Sequence, residues 1–236
     1  MHEFEIPPYV VERVMARRGR LHAYESLDPG ATALVVIDMQ GFFLSPGVPT
    51  EVPKARDIVP NINRLANAVR RAGGPVVWVR MTLSGEGESS WPSFFSHVIS
   101  PELGAKMRTD LGEGSAHHRL WPDLDARPED LHLEKTRFSA FIAGASDIEA
   151  RLRGRGIDTV LMTGTLTNVC CESSARDAMM LGFKVVMVSD ANAARHDTEH
   201  AAALITFIQS FGDVRTTEEV IGLLAAAESA AAAAAS

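Results

Sequence analysis

Short apolar runs alternate along the chain with longer stretches in which apolar residues recur every three or four positions. The run from Ala33 to Ile37 is continuously apolar, which is typical of a strand buried on both faces of a parallel sheet. The predicted strands lie at residues 33–38, 76–81, 131–135, 159–162, 184–189 and 214–216. The predicted helices cover residues 54–71, 147–155, 168–181 and 197–211, and a last one begins at residue 217. This β-α-β order predicts an α/β fold with helices on both faces of a parallel sheet.

The chain is predicted to form one domain, because no internal segment is rich enough in proline, glycine or serine to separate two. Residues 1–31 form an N-terminal arm, whose amphipathic part (Val10, Val14) is expected to pack on the domain or on a neighbouring subunit. The interval 82–130 has the weakest pattern, and long insertions of this kind serve as lids, binding loops or oligomer contacts. The alanine-rich tail, residues 225–236, is expected to carry no chemistry, and it either extends the last helix or forms a disordered end.

The composition argues against several classes of protein. With 46% hydrophobic and 22% charged residues, the 236-residue chain resembles an ordinary globular domain, and its net charge of −7 argues against a nucleic-acid partner. No apolar run reaches the roughly 18 residues of a membrane-spanning helix, and residues 1–5 do not resemble a secretory signal. The two cysteines, Cys170 and Cys171, are sequence neighbours that rarely pair, so no structural disulfide is expected and a cytoplasmic location is predicted.

Three reactive side chains come at or just after predicted strand ends, where open α/β sheets bind their ligands. Asp38 ends the first strand, Lys135 ends the third, and Cys170 follows the fourth through a short turn. A carboxylate beside a thiol can take its proton and later deliver it to a leaving nitrogen. A lysine and a helix N-terminus both favour the thiolate, so a lowered pKa is expected for Cys170. The set predicts a cysteine hydrolase that opens an amide-like carbonyl through a thioester.

Three motifs carry a resemblance to a known family. They are Val-Val-Ile-Asp-Met-Gln-Gly-Phe-Phe at residues 35–43, Glu-Lys-Thr-Arg-Phe-Ser-Ala-Phe at residues 134–141, and Thr-Gly-Thr-Leu-Thr-Asn-Val-Cys-Cys-Glu-Ser-Ser-Ala-Arg-Asp-Ala at residues 163–178. In this order they resemble the isochorismatase-like cysteine hydrolases over about residues 32–224. The resemblance implies a three-layer α/β/α sandwich with a six-stranded, mostly parallel sheet in the order 3-2-1-4-5-6. It also implies a homodimer or homotetramer, and a reaction that needs neither metal nor organic cofactor.

The resemblance also implies a role for particular residues. The family's catalytic triad falls on Asp38, Lys135 and Cys170. A cis peptide bond is implied between Thr165 and Leu166, and the oxyanion hole is implied to consist of the N–H groups of Leu166 and Cys170. In this scheme Asp38 is the base, Lys135 orients it, and Cys170 is the nucleophile.

Differences between this chain and other branches of the family limit which reaction the resemblance implies. True isochorismatases cleave a vinyl ether and lack the nucleophilic cysteine, whereas this chain has it. Nicotinamidases bind a metal through Asp-x-His after the second strand, while the Asp-x-His of this chain, Asp130 to His132, precedes the strand that ends in Lys135. The motifs look most like the ureidoacrylate amidohydrolase branch, which implies a small ureido, N-carbamoyl or carboxamide substrate.

Substrate-binding residues are harder to predict, because the interval 82–130 shows no readable pattern. The candidates are Gln40, Phe43, Arg80, Trp91 and Phe138. Arg80 could hold a substrate carboxylate through two parallel hydrogen bonds, or it could form an ordinary surface ion pair.

Other interpretations stay open at this point. The sequence from His196 to His200 matches a short zinc pattern, but no third ligand stands out and an ordinary helix start is favoured. Cys171 is predicted to be structural, because one residue along a helix turns a side chain by roughly 100° from its neighbour; a redox role for the cysteine pair is the alternative. Two alternative functions also remain, namely a vinyl-ether hydrolase that needs Asp38 but no thiol, and a non-catalytic binding protein on the same fold.

Overall fold

Six strands form one sheet in the computed structural model of the protein, which describes residues 1–83 and 91–234. The strands are β1 (Thr32–Ile37), β2 (Val76–Met81), β3 (Leu131–Lys135), β4 (Thr159–Thr165), β5 (Lys184–Ala193) and β6 (Asp213–Arg215). They lie in the order β3-β2-β1-β4-β5-β6, and every neighbouring pair is parallel. The predicted fold class and strand order are confirmed.

Helices cover both faces of this sheet. They are α1 (Pro8–Arg18), α2 (Gly41–Leu44), α3 (Lys54–Asp57), α4 (Val59–Arg71), α5 (Pro101–Asp110), α6 (Ile148–Arg153), α7 (Glu172–Met180), α8 (Asp197–Ser210) and α9 (Thr217–Ala234). Leu34 and Val36 of β1 pack with α4 and α9 on one face, whereas Val35 packs with α1, α6, α7 and α8 on the other. Because both faces of β1 are covered, the strand reads as a continuous apolar run.

The predicted helix over residues 54–71 is wrong in one respect, because it is two helices, α3 and α4, separated at Ile58. Pro60 lies in the first turn of α4, where its missing N–H would have no helical partner. Within a continuous helix the same proline would remove one backbone hydrogen bond and clash with the preceding turn. The chain therefore begins a new helix at this point.

The predicted helix over residues 168–181 also begins differently from the expectation. Residues Thr167–Cys171 form a turn of π-helix, here called the π-turn, and α7 follows it. Single turns of π-helix are rare in proteins as a whole, and those that occur are often found at functional sites. The strand before the π-turn, β4, continues to Thr165 and so delivers the chain directly into it.

The interval 82–130 covers the edge of the sheet at which β1 ends. It contains α5 and a π-helical turn at Phe94–Val98, while its serine- and glycine-rich residues 84–90 lie outside the described residues. The N–H of Trp121 donates to the Met39 carbonyl at 2.8 Å, and the N–H of Gly41 donates to the Arg119 carbonyl at 3.0 Å. These bonds hold residues 119–121 of the interval against the segment that follows β1.

The N-terminal arm packs on α8 of the same chain. Val10 and Val14 of α1 are buried, and Arg17 donates from Nη1 to the Gln209 carbonyl at 2.8 Å.

Residues 225–234 continue α9, so this part of the alanine-rich tail extends the last helix. The boundaries of the arm, the domain and the tail remain predictions. Within the described part of the chain, none of the helices is long and apolar enough to cross a membrane.

Gly164 allows the close approach of β1 and β4 near the ends of both strands. It pairs with Ile37 in the sheet and has a φ of +114°. A Cβ at this position would lie 2.1 Å from the Ile37 carbonyl oxygen, far inside van der Waals contact. We expect Gly164→Ala to lower the free energy of unfolding by about 3 kcal/mol or more, because the strands must separate next to Asp38. Urea denaturation would measure this loss.

Gly222→Ala is the matched control for that prediction. Gly222 lies inside α9, and a Cβ there would have no neighbouring atom within 4 Å. Because alanine favours helix more than glycine does, we expect this variant to be unchanged or stabilised by about 0.5–1 kcal/mol. Similar unfolding free energies for the two variants would contradict the tight contact at Gly164.

Candidate active site

The structure brings Asp38, Lys135 and Cys170 together at the carboxyl edge of the sheet. Asp38 directly follows β1, Lys135 is the last residue of β3, and Cys170 lies in the π-turn after β4. The carboxyl ends of parallel strands meet at one edge, which explains why residues so distant in sequence become neighbours. Asp38 has a φ of +53°, a left-handed conformation that is uncommon outside glycine and concentrates at functional sites.

Asp38 and Lys135 form a fully buried ion pair. The Lys135 Nζ lies 2.8 Å from Asp38 Oδ2, and both side chains are completely excluded from solvent. The same ammonium donates to the Arg137 carbonyl at 3.0 Å and lies 3.5 Å from the Met81 sulfur. The Lys135 ammonium, the Cys170 thiol and the Met81 N–H all lie within hydrogen-bonding reach of the Asp38 carboxylate. A catalytic role for this pair stays a prediction.

The pKa values of this pair reflect burial and mutual attraction. Burial raises the pKa of Asp38, and the charge of Lys135 only partly opposes that rise. Burial is the largest single influence on the pKa of Lys135 and lowers it, but the interactions with Asp38 and Cys170 together outweigh burial and raise that pKa above the ordinary value. A carboxylate with a raised pKa is a stronger proton acceptor than an ordinary aspartate, and the lysine remains charged.

Cys170 lies within hydrogen-bonding reach of both Asp38 and Lys135. Only 3% of the residue is exposed, and burial raises the pKa of its thiol, although Lys135 opposes the rise. The expectation of a lowered thiol pKa is therefore wrong. Burial destabilises the thiolate, the negative charge of Asp38 destabilises it further, and Lys135 offsets only part of this. A raised pKa favours the neutral thiol, so a nucleophilic role for Cys170, which stays a prediction, would require a neighbouring base.

The turn before Cys170 has the backbone that the resemblance implied. The peptide bond between Thr165 and Leu166 is cis, which confirms that expectation. The Leu166 carbonyl accepts from the N–H groups of Val169 and Cys171, both at 3.1 Å. These bonds close the π-turn on itself and hold its backbone in place. The assignment of the Leu166 and Cys170 N–H groups to an oxyanion hole stays a prediction.

Cys171 occupies a different environment from Cys170. It is fully buried in the apolar core, and its Sγ lies 3.7 Å from the Thr163 carbonyl oxygen, to which the thiol donates. Both cysteines are free thiols, and burial raises the pKa of Cys171 well above its ordinary value. The contacts of Cys171 are those of a packing residue.

Two of the five candidate substrate-binding residues lie in one aromatic cluster. Trp91 meets Phe138 edge-on with ring centroids 4.8 Å apart, and both line an open groove of about 450 Å³ between the 137–142 segment and α7. Ser173, three residues after Cys170, lies in the same groove. The groove therefore lies beside the start of α7, the helix that follows the π-turn.

The other three candidates have defined partners within the protein. The Gln40 side chain is fully buried; its Nε2 donates to two carbonyls, of Met81 and His118, and its Oε1 accepts from the Met81 N–H at 2.8 Å. Phe43 packs edge-on against its neighbour Phe42. Arg80 donates to Glu134 at 3.0 Å, the ion pair that was the alternative for this residue. A role in substrate binding stays a prediction for all three.

The zinc pattern is an ordinary helix start. His196 is exposed just before α8, and its N–H donates to the Glu199 carboxylate at 3.2 Å, which caps the helix. His200 is instead fully buried, with Nδ1 2.9 Å from the Thr167 hydroxyl. No group of three or more histidine, cysteine, aspartate or glutamate side chains among the described residues could hold a metal ion.

Two contacts near the site were not predicted from the sequence. They are the Thr167 hydroxyl beside His200 and the Arg137 carbonyl that accepts from Lys135. A single threonine and a backbone carbonyl have no recognisable pattern in a sequence.

Comparisons with known proteins agree with this architecture. A profile of the isochorismatase domain matches residues 32–219. The chain is 33% identical over 214 residues to the ureidoacrylate amidohydrolase RutB of Caulobacter vibrioides, an alignment that covers 83% of this chain and 92% of the relative. The chain therefore belongs to the isochorismatase family of hydrolases.

Two solved structures share the fold. A cysteine hydrolase from Pseudomonas syringae pv. phaseolicola 1448A matches with a TM-score of 0.76 at 30% identity, covering 88% of this chain and 98% of that one. The N-carbamoylsarcosine amidase from Thermoplasma acidophilum matches with a TM-score of 0.64 at 26% identity, covering 79% and 96%. The resemblance inferred from the motifs is confirmed at the level of family and fold.

Proposed function

We propose that the protein is a cysteine hydrolase that cleaves the C–N bond of a small carboxamide, ureido or N-carbamoyl compound through a thioester. The observation that carries the proposal is the buried ion pair of Asp38 and Lys135 in contact with the Cys170 thiol. The names of the relatives, an amidohydrolase acting on ureidoacrylate and an amidase acting on N-carbamoylsarcosine, support this class of bond. A cysteine nucleophile favours this reaction over cleavage of a vinyl ether.

In the proposed first half-reaction, Cys170 Sγ attacks the carbonyl carbon while its proton passes to Asp38. The N–H groups of Leu166 and Cys170 receive the negative charge that develops on the carbonyl oxygen. The C–N bond then breaks, and Asp38 delivers the proton to the leaving nitrogen. An amine or ammonia departs, and the acyl group stays on Cys170 as a thioester.

In the second half-reaction, a water molecule adds to the thioester carbonyl as Asp38 takes one of its protons. The C–S bond breaks, the thiol regains a proton from Asp38, and an acid is released. Lys135 holds the Asp38 carboxylate in place and keeps it ionised between these steps. Asp38 starts and ends the cycle as a carboxylate, so the proton balance is closed.

The groove beside Trp91 and Phe138 suits a small substrate rather than a macromolecule, since its volume is about 450 Å³. We propose that the substrate enters through this groove and that its scissile carbonyl passes Phe138 to reach Cys170. A homodimer or homotetramer is part of the same proposal, on the strength of the family resemblance alone.

A panel of small amides, ureas and N-carbamoyl compounds would test the proposal, with release of ammonia or amine as the readout. We expect at least one compound to be turned over by the native protein, and the turnover to stop after stoichiometric alkylation of Cys170 by iodoacetamide. An acyl-enzyme should appear by intact mass after acid quench. Hydrolysis of a vinyl ether that survives alkylation would favour that alternative. No turnover and no adduct across the panel would favour a non-catalytic binding protein.

A further inference from the structure

His200 lies fully buried beside the π-turn that carries Cys170. Its Nδ1 is 2.9 Å from the hydroxyl of Thr167, which is the first residue of that turn. The other ring nitrogen, Nε2, is also buried and has no hydrogen-bond partner among the described residues. Within the described part of the chain, the only hydrogen bond of this ring is therefore the one that reaches the π-turn.

The N-terminal arm holds the His200 ring in this orientation. The imidazole of His2 stacks on it, with ring centroids 4.3 Å apart and an angle of 14° between the planes. His2 is fixed in turn, because its Nδ1 lies 2.5 Å from Asp197 Oδ1 and its Nε2 accepts from the Ala194 N–H at 2.9 Å. The stacked pair leaves His200 little freedom to turn away from the π-turn.

The lowered pKa of His200 favours the neutral form of its imidazole ring. Burial is the main cause that lowers the pKa of His200, to about 3, and the nearby His2 ring adds to this effect. A neutral imidazole has one donor and one acceptor nitrogen, so its bond to the Thr167 hydroxyl persists over the range in which a hydrolase works. The contact is therefore a constant part of the folded protein.

We propose that His200 is a positioning residue for the reaction, fixing the π-turn through the Thr167 hydroxyl, and that His2 holds the His200 ring in place. The inference rests on the proposed function, and it adds residues from the N-terminal arm and α8 to the site. Thr167 follows Leu166 directly and precedes Cys170 by one turn, so a shift of Thr167 displaces both N–H groups assigned to the oxyanion. A displacement of about 1 Å in such a constellation can cost roughly a hundredfold in rate.

Thr167→Val tests the proposal, since valine keeps the shape of threonine and lacks the hydroxyl. We expect kcat for a substrate of the native protein to fall about tenfold to a hundredfold, with KM changed by less than about twofold. Thr167→Ser keeps the hydroxyl and should restore most of kcat. His2→Ala should also lower kcat, but by only about threefold, because it removes the ring that stacks on His200 and leaves the bond between His200 and Thr167 in place.

Thr32→Val is the matched control. Thr32 is also fully buried, and its hydroxyl donates to the Asp28 carbonyl at 2.6 Å, but it lies at the opposite edge of the sheet as the first residue of β1. We expect it to lower the melting temperature as Thr167→Val does, without a change in kcat. A loss of kcat in the control as large as in Thr167→Val would overturn the proposal.

Hydrogen exchange of the backbone amides at residues 165–171 gives a second readout that does not depend on turnover. In Thr167→Val these amides should exchange at least about tenfold faster than in the native protein, while the amides of β1 stay protected. Unchanged exchange, or faster exchange with unchanged kcat, would overturn the positioning role. If the native protein cleaves nothing in the panel, the proposed function fails, yet the exchange rates still decide whether His200 and Thr167 hold the π-turn.

Discussion

Replacement of Cys170 with alanine is expected to lower kcat at least about a thousandfold, because the variant has no atom that can form the thioester. Cys170→Ser should fail almost as completely. A serine hydroxyl is a far weaker acid than a thiol, and Asp38 is too weak a base to remove its proton. Steady-state kinetics on the best substrate of the panel, together with intact mass after acid quench, would measure both effects.

The neighbouring cysteine provides the matched control. Cys171→Ala removes the same kind of side chain one position further along, from a site that is also buried but packs in the apolar core. We expect its kcat to stay within about threefold of the native value, with a loss of about 1–2 kcal/mol in stability from the cavity left behind. The nucleophile assignment fails if Cys170→Ala keeps more than about a tenth of native activity, or if Cys171→Ala loses as much as Cys170→Ala.

Lys135→Met is expected to abolish turnover and to lower the free energy of unfolding by about 3–5 kcal/mol. Methionine matches the length of lysine but leaves the buried Asp38 without a counter-charge. Burial then raises the Asp38 pKa further, since the opposing charge is gone. A carboxyl group that has taken up a proton cannot accept one from the thiol. Any residual activity should therefore require a higher pH, and the acidic limb of the pH–rate profile should move upward.

Lys184→Met carries the same substitution into a solvent-exposed ion pair. Lys184 lies 2.9 Å from Asp158 Oδ2, but both side chains are about half exposed (53% and 45%). Pairs of this kind contribute about 0–1 kcal/mol, so the variant should unfold almost as the native protein does and keep its activity. Adding Asp38→Asn to Lys135→Met removes the buried ionisable carboxyl group, and it should recover part of the stability and none of the activity. Equal stabilities for Lys135→Met and Lys184→Met would refute a buried pair at Asp38.

Much of the fold and of the candidate site could be predicted from local signals. A continuous apolar run such as residues 33–37 indicates a strand covered on both faces, and the alternation of such runs with helical stretches indicates parallel pairing. Parallel pairing brings strand ends together, so the sequence alone predicts Asp38, Lys135 and Cys170 at one edge of the sheet. The break at Ile58 had a signal as well, namely Pro60, but the helical spacing of the apolar residues concealed it.

The thiol pKa could not be predicted in this way. A lysine and a helix N-terminus are local features, and both suggested a lowered pKa for Cys170. The degree to which the sulfur is excluded from water depends on the packing of several distant segments around it, and that burial raises the pKa. The contact of His2 with His200 is of the same kind, because no periodicity or spacing links the first residues of the chain to α8.

The sequence by itself determined the class of fold, the family and the residue types at the strand ends, because these follow from local patterns and short motifs. The tertiary structure alone decided the π-turn, the raised pKa of the Cys170 thiol and the stacked histidines beside Thr167. These features depend on burial and on contacts between residues far apart in the chain, and such contacts form only when the whole polypeptide packs. The chemical groups of the site are therefore encoded locally, whereas their protonation and their positions are set by the folded protein as a whole.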